Sequence, residues 1–291
     1  MLSILQKLRS RRVITYIIGG LVLYAFVCVF LARSYVHPMR NRSGVPPKWV
    51  SEVFVNSSSG PVPSWATTRL ASGHGKPVVF VLAHGYGGNR LAWGAMMADL
   101  SDLGFEAVAP SMPGQDDSPD SSVGFGVKEA QCVLDTVQWV RSHYKSPPKV
   151  VLLGVSMGGA ATWLASEKDP SVDAVVTEGA FSRFDEVMSH WLNSKLPGSS
   201  FYLRPMIWLA SADAKVNPAT ILPVRAAEKW HKPCLVIQAG DDTLIPLHQA
   251  QELATASKAP LWIVGGAEHA NCYNTARDEY LNRLVLLTKK L

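Results

Sequence analysis

The chain has 291 residues, 47% apolar and 18% charged, a composition that excludes an intrinsically disordered protein. Its formal net charge of +5 comes from one end: residues 1–48 hold eight basic side chains (Lys7, Arg9, Arg11, Arg12, Arg33, Arg40, Arg42, Lys48) and no acid. The remainder carries 20 basic against 23 acidic residues, a net −3 that argues against a nucleic-acid-binding surface.

Val13 to Ala32 is a run of twenty residues without a charge, VITYIIGGLVLYAFVCVFLA. As a helix it spans about 30 Å, the thickness of a bilayer's hydrocarbon core. The run is too long for the apolar part of a cleaved signal peptide, and Leu31-Ala32-Arg33 is a poor cleavage site. It reads as a single-pass N-terminal membrane anchor whose partners are lipids. Basic residues flank it on both sides and suit anionic head groups. Because the two collars nearly balance, the positive-inside rule leaves open which side of the membrane the rest of the chain faces. Residues 37–48, with Pro38, Pro46 and Pro47, read as a stiff linker closing an N-terminal segment 1–48.

From Trp49 to Leu291, short β-type runs alternate with helical patterns, which predicts a mostly parallel sheet covered by helices on both faces. Strands are expected at Trp49–Val55, Ser64–Leu70, Val78–Leu82, Glu106–Ala109, Val150–Leu153, Ala174–Thr177, Cys234–Gln238 and Leu261–Val264, the first two as antiparallel edge strands. The later runs are continuously apolar, as suits strands buried on both faces. Helices are expected at Leu91–Leu103, Gly126–His143, Met157–Lys168, Leu247–Ser257 and Ala276–Lys289. Between the sixth and seventh strands, residues 181–232 lack strand character and contain Trp191, Trp208 and Trp230. An insertion of this length suggests a helical cap over a pocket. Cys28, Cys132, Cys234 and Cys272 are far apart and form no CxxC pair, so they read as buried or incidental thiols.

Gly154-Val155-Ser156-Met157-Gly158 matches G-x-S-x-G and lies between the apolar run KVVLLG and a helical pattern, as a nucleophile elbow requires. Ser156 is the candidate nucleophile. The helix after it places partial positive charge beside a developing oxyanion. Upstream, a β-type run ends in His84-Gly85-Tyr86-Gly87-Gly88. The backbone N–H groups of Tyr86 and Met157 are the candidate oxyanion donors, and His84 reads as structural. A serine hydroxyl needs a base, and the base needs an orienting acid. Asp241-Asp242 follows the seventh expected strand and His269 follows the eighth. Both would sit at carboxyl ends of parallel strands, where open α/β sheets hold their ligands. His269 is the candidate base. Asp242, four residues before Pro246, is preferred over Asp241, with Glu178 the next acid to consider. His143, His190, His231 and His248 fall on helical or cap segments and read as surface groups.

Taken together, HGYGG, PSMPGQDDSP, GVSMGG, AGDDTLIP and GAEH resemble the α/β-hydrolase superfamily over about residues 76–285. The likeness is to the serine-hydrolase branch that includes monoglyceride lipases and acylaminoacyl-peptidase-like enzymes. The resemblance implies an α/β-hydrolase fold with an eight-stranded, mostly parallel sheet. It also implies cofactor-free cleavage of an ester, thioester or amide, with Ser156, Asp242 and His269 as the triad. Gln238-Ala239 departs from the His-Gly that relatives often carry before the acid. With the anchor and the Trp-rich cap, the expected substrate is a small-molecule acyl ester or lipid. An aminopeptidase-like serine peptidase, an inactive scaffold and an acyltransferase remain as alternatives. The peptidase would need an acidic cluster at its pocket, for which Glu178, Asp185 and Glu186 are the candidates.

Overall fold

The computed structural model describes residues 2–71, 78–144 and 146–291. One helix, α1 (Leu2–Val36), contains the uncharged run and extends beyond both of its ends. Its stretch Arg12–Val36 is long and apolar enough to cross a membrane. The side chains of Lys7, Arg9 and Arg11, expected to form the basic collar ahead of the span, lie outside the described residues.

Eight strands then build one sheet: β1 (Val50–Ser57), β2 (Gly60–Thr67), β3 (Val78–Ala83), β4 (Glu106–Pro110), β5 (Lys149–Val155), β6 (Ala174–Glu178), β7 (Cys234–Ala239) and β8 (Leu261–Val264). Their order is β1-β2-β4-β3-β5-β6-β7-β8. β2 pairs antiparallel with both β1 and β4, while β4, β3 and β5 through β8 pair in parallel. Of the two antiparallel strands only β1 is therefore at an edge, with β8 at the opposite one; β2, expected at the edge as well, is flanked on both sides. It also starts and ends earlier than expected. Trp65, Ala66 and Thr67 carry the strand's buried end, and a short helix, α2 (Thr68–Ala71), takes the residues that follow.

The sheet separates two apolar layers, as the uniformly apolar central strands require. Val79 and Val81 point to one side, against α4 (Val127–Ser142), α5 (Met157–Lys168), α9 (Pro223–Glu228) and α10 (Leu247–Ser257). Phe80 and Leu82 point to the other, against α3 (Gly94–Asp102) and α11 (Arg277–Thr288). The helix expected from Leu91 begins as a 3₁₀ turn at Arg90–Trp93, because the Arg90 side chain is fully buried and tied into the core. Its guanidinium meets Asp116 at 2.8 Å, Asp117 at 2.7 Å and Glu52 at 3.1 Å. Burial raises the Asp116 carboxyl, but hydrogen bonds from Arg90 and Ser43 outweigh it and leave its pKa at about 2.

A third apolar cluster joins the cap to the end of α1. The cap consists of α6 (Phe184–Lys195), α7 (Ser199–Tyr202) and α8 (Arg204–Ala214). Phe184, Met188, Leu192, Met206 and Ile207 pack with Ala32 and Val36 of α1. The cap is thus shorter than the insertion 181–232: α9 and Trp230 belong to the main layer under α5 and α10. The Pro-rich stretch 37–48 forms no helix or strand but is fastened to the domain from His37 to Ser43. His37 bonds to Ser121 O at 2.9 Å and Asp213 at 3.0 Å. Arg40 donates to Ser118 O, and Ser43 places its N–H and hydroxyl on Asp116 at 2.9 and 2.7 Å.

Candidate active site

β5 ends in a turn so tight that two glycines in it have no room for a side chain. A Cβ on Gly154 would lie 2.3 Å from Gly158 O, and one on Gly158 would lie 2.1 Å from Ala83 O. Ser156 sits between them with φ +55°, a left-handed conformation that costs about 1–3 kcal/mol for a non-glycine residue. The turn is held by the Ser156 N–H on Glu178 O at 2.8 Å and by α5, which starts at the next residue. Gly158→Ala is expected to destabilise the protein by about 3 kcal/mol or more, since the obstacle is backbone that cannot rotate away. Thermal unfolding checks this; an unchanged midpoint would mean the elbow can open.

The expected site residues converge at the carboxyl ends of the parallel strands. His269 follows β8, Asp242 follows β7, Glu178 ends β6, Ser156 follows β5 and Tyr86 follows β3. His269 Nε2 lies 2.9 Å from Ser156 Oγ, and His269 Nδ1 lies 2.7 Å from Asp242 Oδ2. A carboxylate can only accept, so Nδ1 carries the proton and Nε2 is left free to accept the serine O–H. Asp242 is held by four donors: its Oδ1 takes the N–H groups of Leu244 and Ile245 at 2.9 and 2.8 Å, and its Oδ2 takes Gln238 Nε2 at 3.1 Å besides His269. Gln238, the departure from the family pattern, thus supplies a donor to the acid. Its amide also donates to Ile245 O at 3.0 Å.

Neither runner-up acid bonds the imidazole. Asp241 is exposed and does not reach the imidazole. Glu178 is buried and turned to the following loop, where its Oε1 takes the Cys272 N–H at 2.8 Å. Burial raises its carboxyl pKa against that bond. His190, His231 and His248 are exposed and His143 is half-buried, none of them beside Ser156. All four cysteines are free and buried. Among the described residues, no group of three or more His, Cys, Asp or Glu is placed to hold a metal ion.

The loop after β3 runs against the serine: a Cβ on Gly85 would lie 3.1 Å from Ser156 Cβ. His84 anchors this loop from beneath. Its Nε2 accepts the Met112 N–H at 3.2 Å, which leaves Nδ1 to donate to Gly85 O at 3.0 Å. Burial pushes its pKa down to about 4, against the bond to Gly85 O. The unfolded chain binds that proton below the ordinary histidine value of about 6.5. Stability should therefore fall with pH from about 6.5 down to about 4, by up to about 3 kcal/mol from this group. A His84→Gln protein should show a shallower fall in unfolding midpoint across that window; an equal fall would assign the acid sensitivity to other groups.

A cavity of about 440 Å³ opens over Ser156 and His269. Its walls are largely apolar, with Phe125, Phe181, Phe184, Met188 and Trp191 facing Tyr86 and Leu244. One wall residue comes from outside the sheet domain: Tyr35, in the last turn of α1. Its ring stacks on Tyr86 at 4.8 Å and meets Trp191 at 5.1 Å, and its backbone O takes the Tyr86 hydroxyl at 2.9 Å. Tyr35 was not among the expected site residues, because it lies between the apolar run and the Pro-rich stretch and belongs to no family motif. Its position after the apolar run, followed by Val36 and His37, was the only local sign of a helix end folding back onto the domain. Asp185 and Glu186, offered as part of an acidic cluster, are exposed on α6 and do not line the cavity.

This sheet order, with its helical layers and a serine turn after β5, is the α/β-hydrolase fold, and the chain is an α/β-hydrolase-fold protein. The family model described as alpha/beta hydrolase fold matches residues 78–203. The chain is similar to the esterase Pf2001 of Pyrococcus furiosus at 19% identity and a TM-score of 0.72, over 88% of this chain and 97% of that one. It is similar to a predicted CIB-like hydrolase from Thermoplasma acidophilum at 19% identity and a TM-score of 0.58, over 83% of this chain and 99% of that one. It is also similar to the acylaminoacyl peptidase of Pyrococcus horikoshii at 16% identity and a TM-score of 0.61, over 83% of this chain and 42% of that one. No curated protein matches the chain in sequence.

Proposed function

We propose that this protein is a membrane-anchored serine hydrolase that cleaves a carboxylic ester or thioester of an apolar acyl substrate. The observation that carries the reading is the hydrogen-bonded row Ser156–His269–Asp242 beneath an apolar cavity of about 440 Å³. In this mechanism Ser156 Oγ attacks the acyl carbonyl while His269 Nε2 takes its proton. Asp242 keeps the imidazole in the tautomer that accepts and offsets the charge that forms. The N–H groups of Tyr86 and Met157 face the oxyanion; losing such a donor typically costs about 10²–10³ in rate. His269 then protonates the leaving alcohol or thiol, and a water activated by the same base releases the acid from Ser156. Every step uses the chain's own groups and water.

The similar structures include an esterase and a peptidase, so the fold alone does not choose between them. The cavity favours the ester. A peptidase holding a substrate ammonium would need carboxylates in its wall, and of the three acids considered only Glu178 lies there. In this reading residues 1–48 are the anchor and its connection, and residues 49–291 the catalytic domain. The proposal is tested by fluorophosphonate labelling of the full chain, followed by a panel of acyl esters, acyl thioesters and aminoacyl amides. Labelling with turnover of esters or thioesters supports it. Labelling with turnover of the amides alone would replace the esterase by a peptidase.

The Tyr35 wall makes a further prediction. Tyr35→Ala removes three ring contacts, with Tyr86, Phe125 and Trp191, and enlarges the cavity next to Tyr86. The KM for a medium-chain p-nitrophenyl ester is expected to rise about tenfold, the equivalent of about 1.4 kcal/mol. The preferred acyl chain should lengthen. An unaltered chain-length profile would remove Tyr35 from the binding wall.

A further inference from the structure

The cap leaves a set of large apolar side chains uncovered on α7, α8 and the turn before them. Leu196, Phe201, Tyr202, Trp208 and Leu209 are all exposed, Phe201 at 78% and Trp208 at 59%. Single exposed apolar residues are ordinary, but a grouped set marks an interaction surface. What covers this one follows from its alignment with α1.

The two helices run side by side in the same direction. At one end the Tyr24 hydroxyl donates to Tyr202 O. At the other, Asp213 pairs with His37 at 3.0 Å and with Arg33 at 4.0 Å. Between these ties Cys28, Ala32 and Val36, spaced four apart on one stripe of α1, are buried. Ala32 and Val36 pack in one cluster with Met206, Ile207, Ala210 and Ala214 of α8. Tyr24 lies eight residues before Ala32, so its tie to the cap is about 12 Å down the helix from the end of the uncharged run. A leaflet's hydrocarbon is about 15 Å deep. A bilayer that receives Val13–Ala32 therefore has to receive α7 and α8 as well. Their helical backbones satisfy their own polar groups there. Arg204, exposed in the first turn of α8, has a long aliphatic stem that can carry its charge toward the interface and sets a bound on the depth.

The level of the pocket follows from the same helix. Tyr35, its wall residue, is three residues past Ala32, about 5 Å beyond the hydrocarbon edge. That is the level of the head groups, where the ester carbonyls of glycerolipids lie.

We propose that α7 and α8 form a second membrane-contact surface, sunk beside α1 in one leaflet, and that the pocket receives its acyl ester sideways from that leaflet. This rests on the serine-hydrolase reading and on α1 crossing a bilayer, and the test separates the three. The full chain is placed in phosphatidylcholine nanodiscs with an environment-sensitive dye on Phe201→Cys, Trp208→Cys, Leu21→Cys or Glu228→Cys. The native cysteines are buried. Lipids carrying a quencher on the acyl chain are expected to quench the dye at 21, 201 and 208 and to spare 228. Quenching at 21 without 201 and 208 overturns the cap contact and keeps the anchor. No quenching at 21 overturns both. Shielding of 201 and 208 that depends on protein concentration would assign the patch to a second copy and also overturn the proposal.

In a second arm, the Phe201→Asp/Trp208→Asp protein is expected to lose about tenfold or more in hydrolysis of a long-chain acylglycerol held in the same bilayer, while a short p-nitrophenyl ester in detergent keeps its rate within about twofold. Equal loss on both substrates, or on neither, overturns sideways access. A wild-type chain that takes no fluorophosphonate and cleaves neither ester removes the hydrolase reading and the route of access with it. The dye measurement still decides the membrane contact.

Discussion

The Ser156→Ala protein is expected to take up no fluorophosphonate and to lose about 10⁶-fold in kcat on a short p-nitrophenyl ester. The substitution removes one oxygen, the atom 2.9 Å from His269 Nε2. It leaves the turn intact, since alanine at φ +55° is strained no more than serine there. The loss can therefore be read as chemistry, provided the unfolding midpoint matches the parent's. Persistent labelling on another residue would move the nucleophile and with it the whole mechanism.

The second large effect belongs to the acid. Asp242→Asn is expected to lower kcat by about 10⁴-fold with little change in stability. An Asn carbonyl at the Oδ1 position still accepts the N–H groups of Leu244 and Ile245, so the loop keeps its shape. The amide NH₂ then faces His269 Nδ1, drives the proton to Nε2 and removes the acceptor that Ser156 needs. Glu178→Gln keeps an acceptor for the Cys272 N–H, and its kcat should stay within about tenfold of the parent. Full activity in Asp242→Asn together with loss in Glu178→Gln would transfer the orienting role to Glu178. Rate against pH for the two variants, on enzyme that is still folded, separates them.

Most of the fold could be read from the chain because its signals are local. Continuous apolar runs such as Val150–Leu153 and Leu261–Val264 admit few alternatives once turn residues bound them, and β8 is found at the expected residues. The helices Met157–Lys168 and Leu247–Ser257 likewise match their expected bounds. That Ser156, Asp242 and His269 would lie together was legible for a different reason: each sits just after a β run, and one sheet edge collects them. The failures have a common cause in contacts between distant segments. That β2 lies inside the sheet depends on its pairing with β4, more than forty residues on, which no local pattern encodes. The length of the cap could not be seen because Trp230 is as apolar as Trp191, and only packing sends one to the main core and the other to the pocket. The 3₁₀ start at Arg90 follows from a buried guanidinium that needs three carboxylates, two of them in the PSMPGQDDSP segment.

The stretch 37–48 has a consequence for reach. Twelve unconstrained residues would let a tethered body wander by about 20 Å. Here His37, Arg40 and Ser43 each grip the domain they lead into, so the helix and the sheet domain move as one mount. Under the proposed function such an arrangement would work in cis, on molecules of its own membrane, and would gain nothing from those in an apposed one. Exchanging α1 for an unrelated spanning helix would remove a wall of the cavity along with the fastening, so this helix is not an interchangeable module.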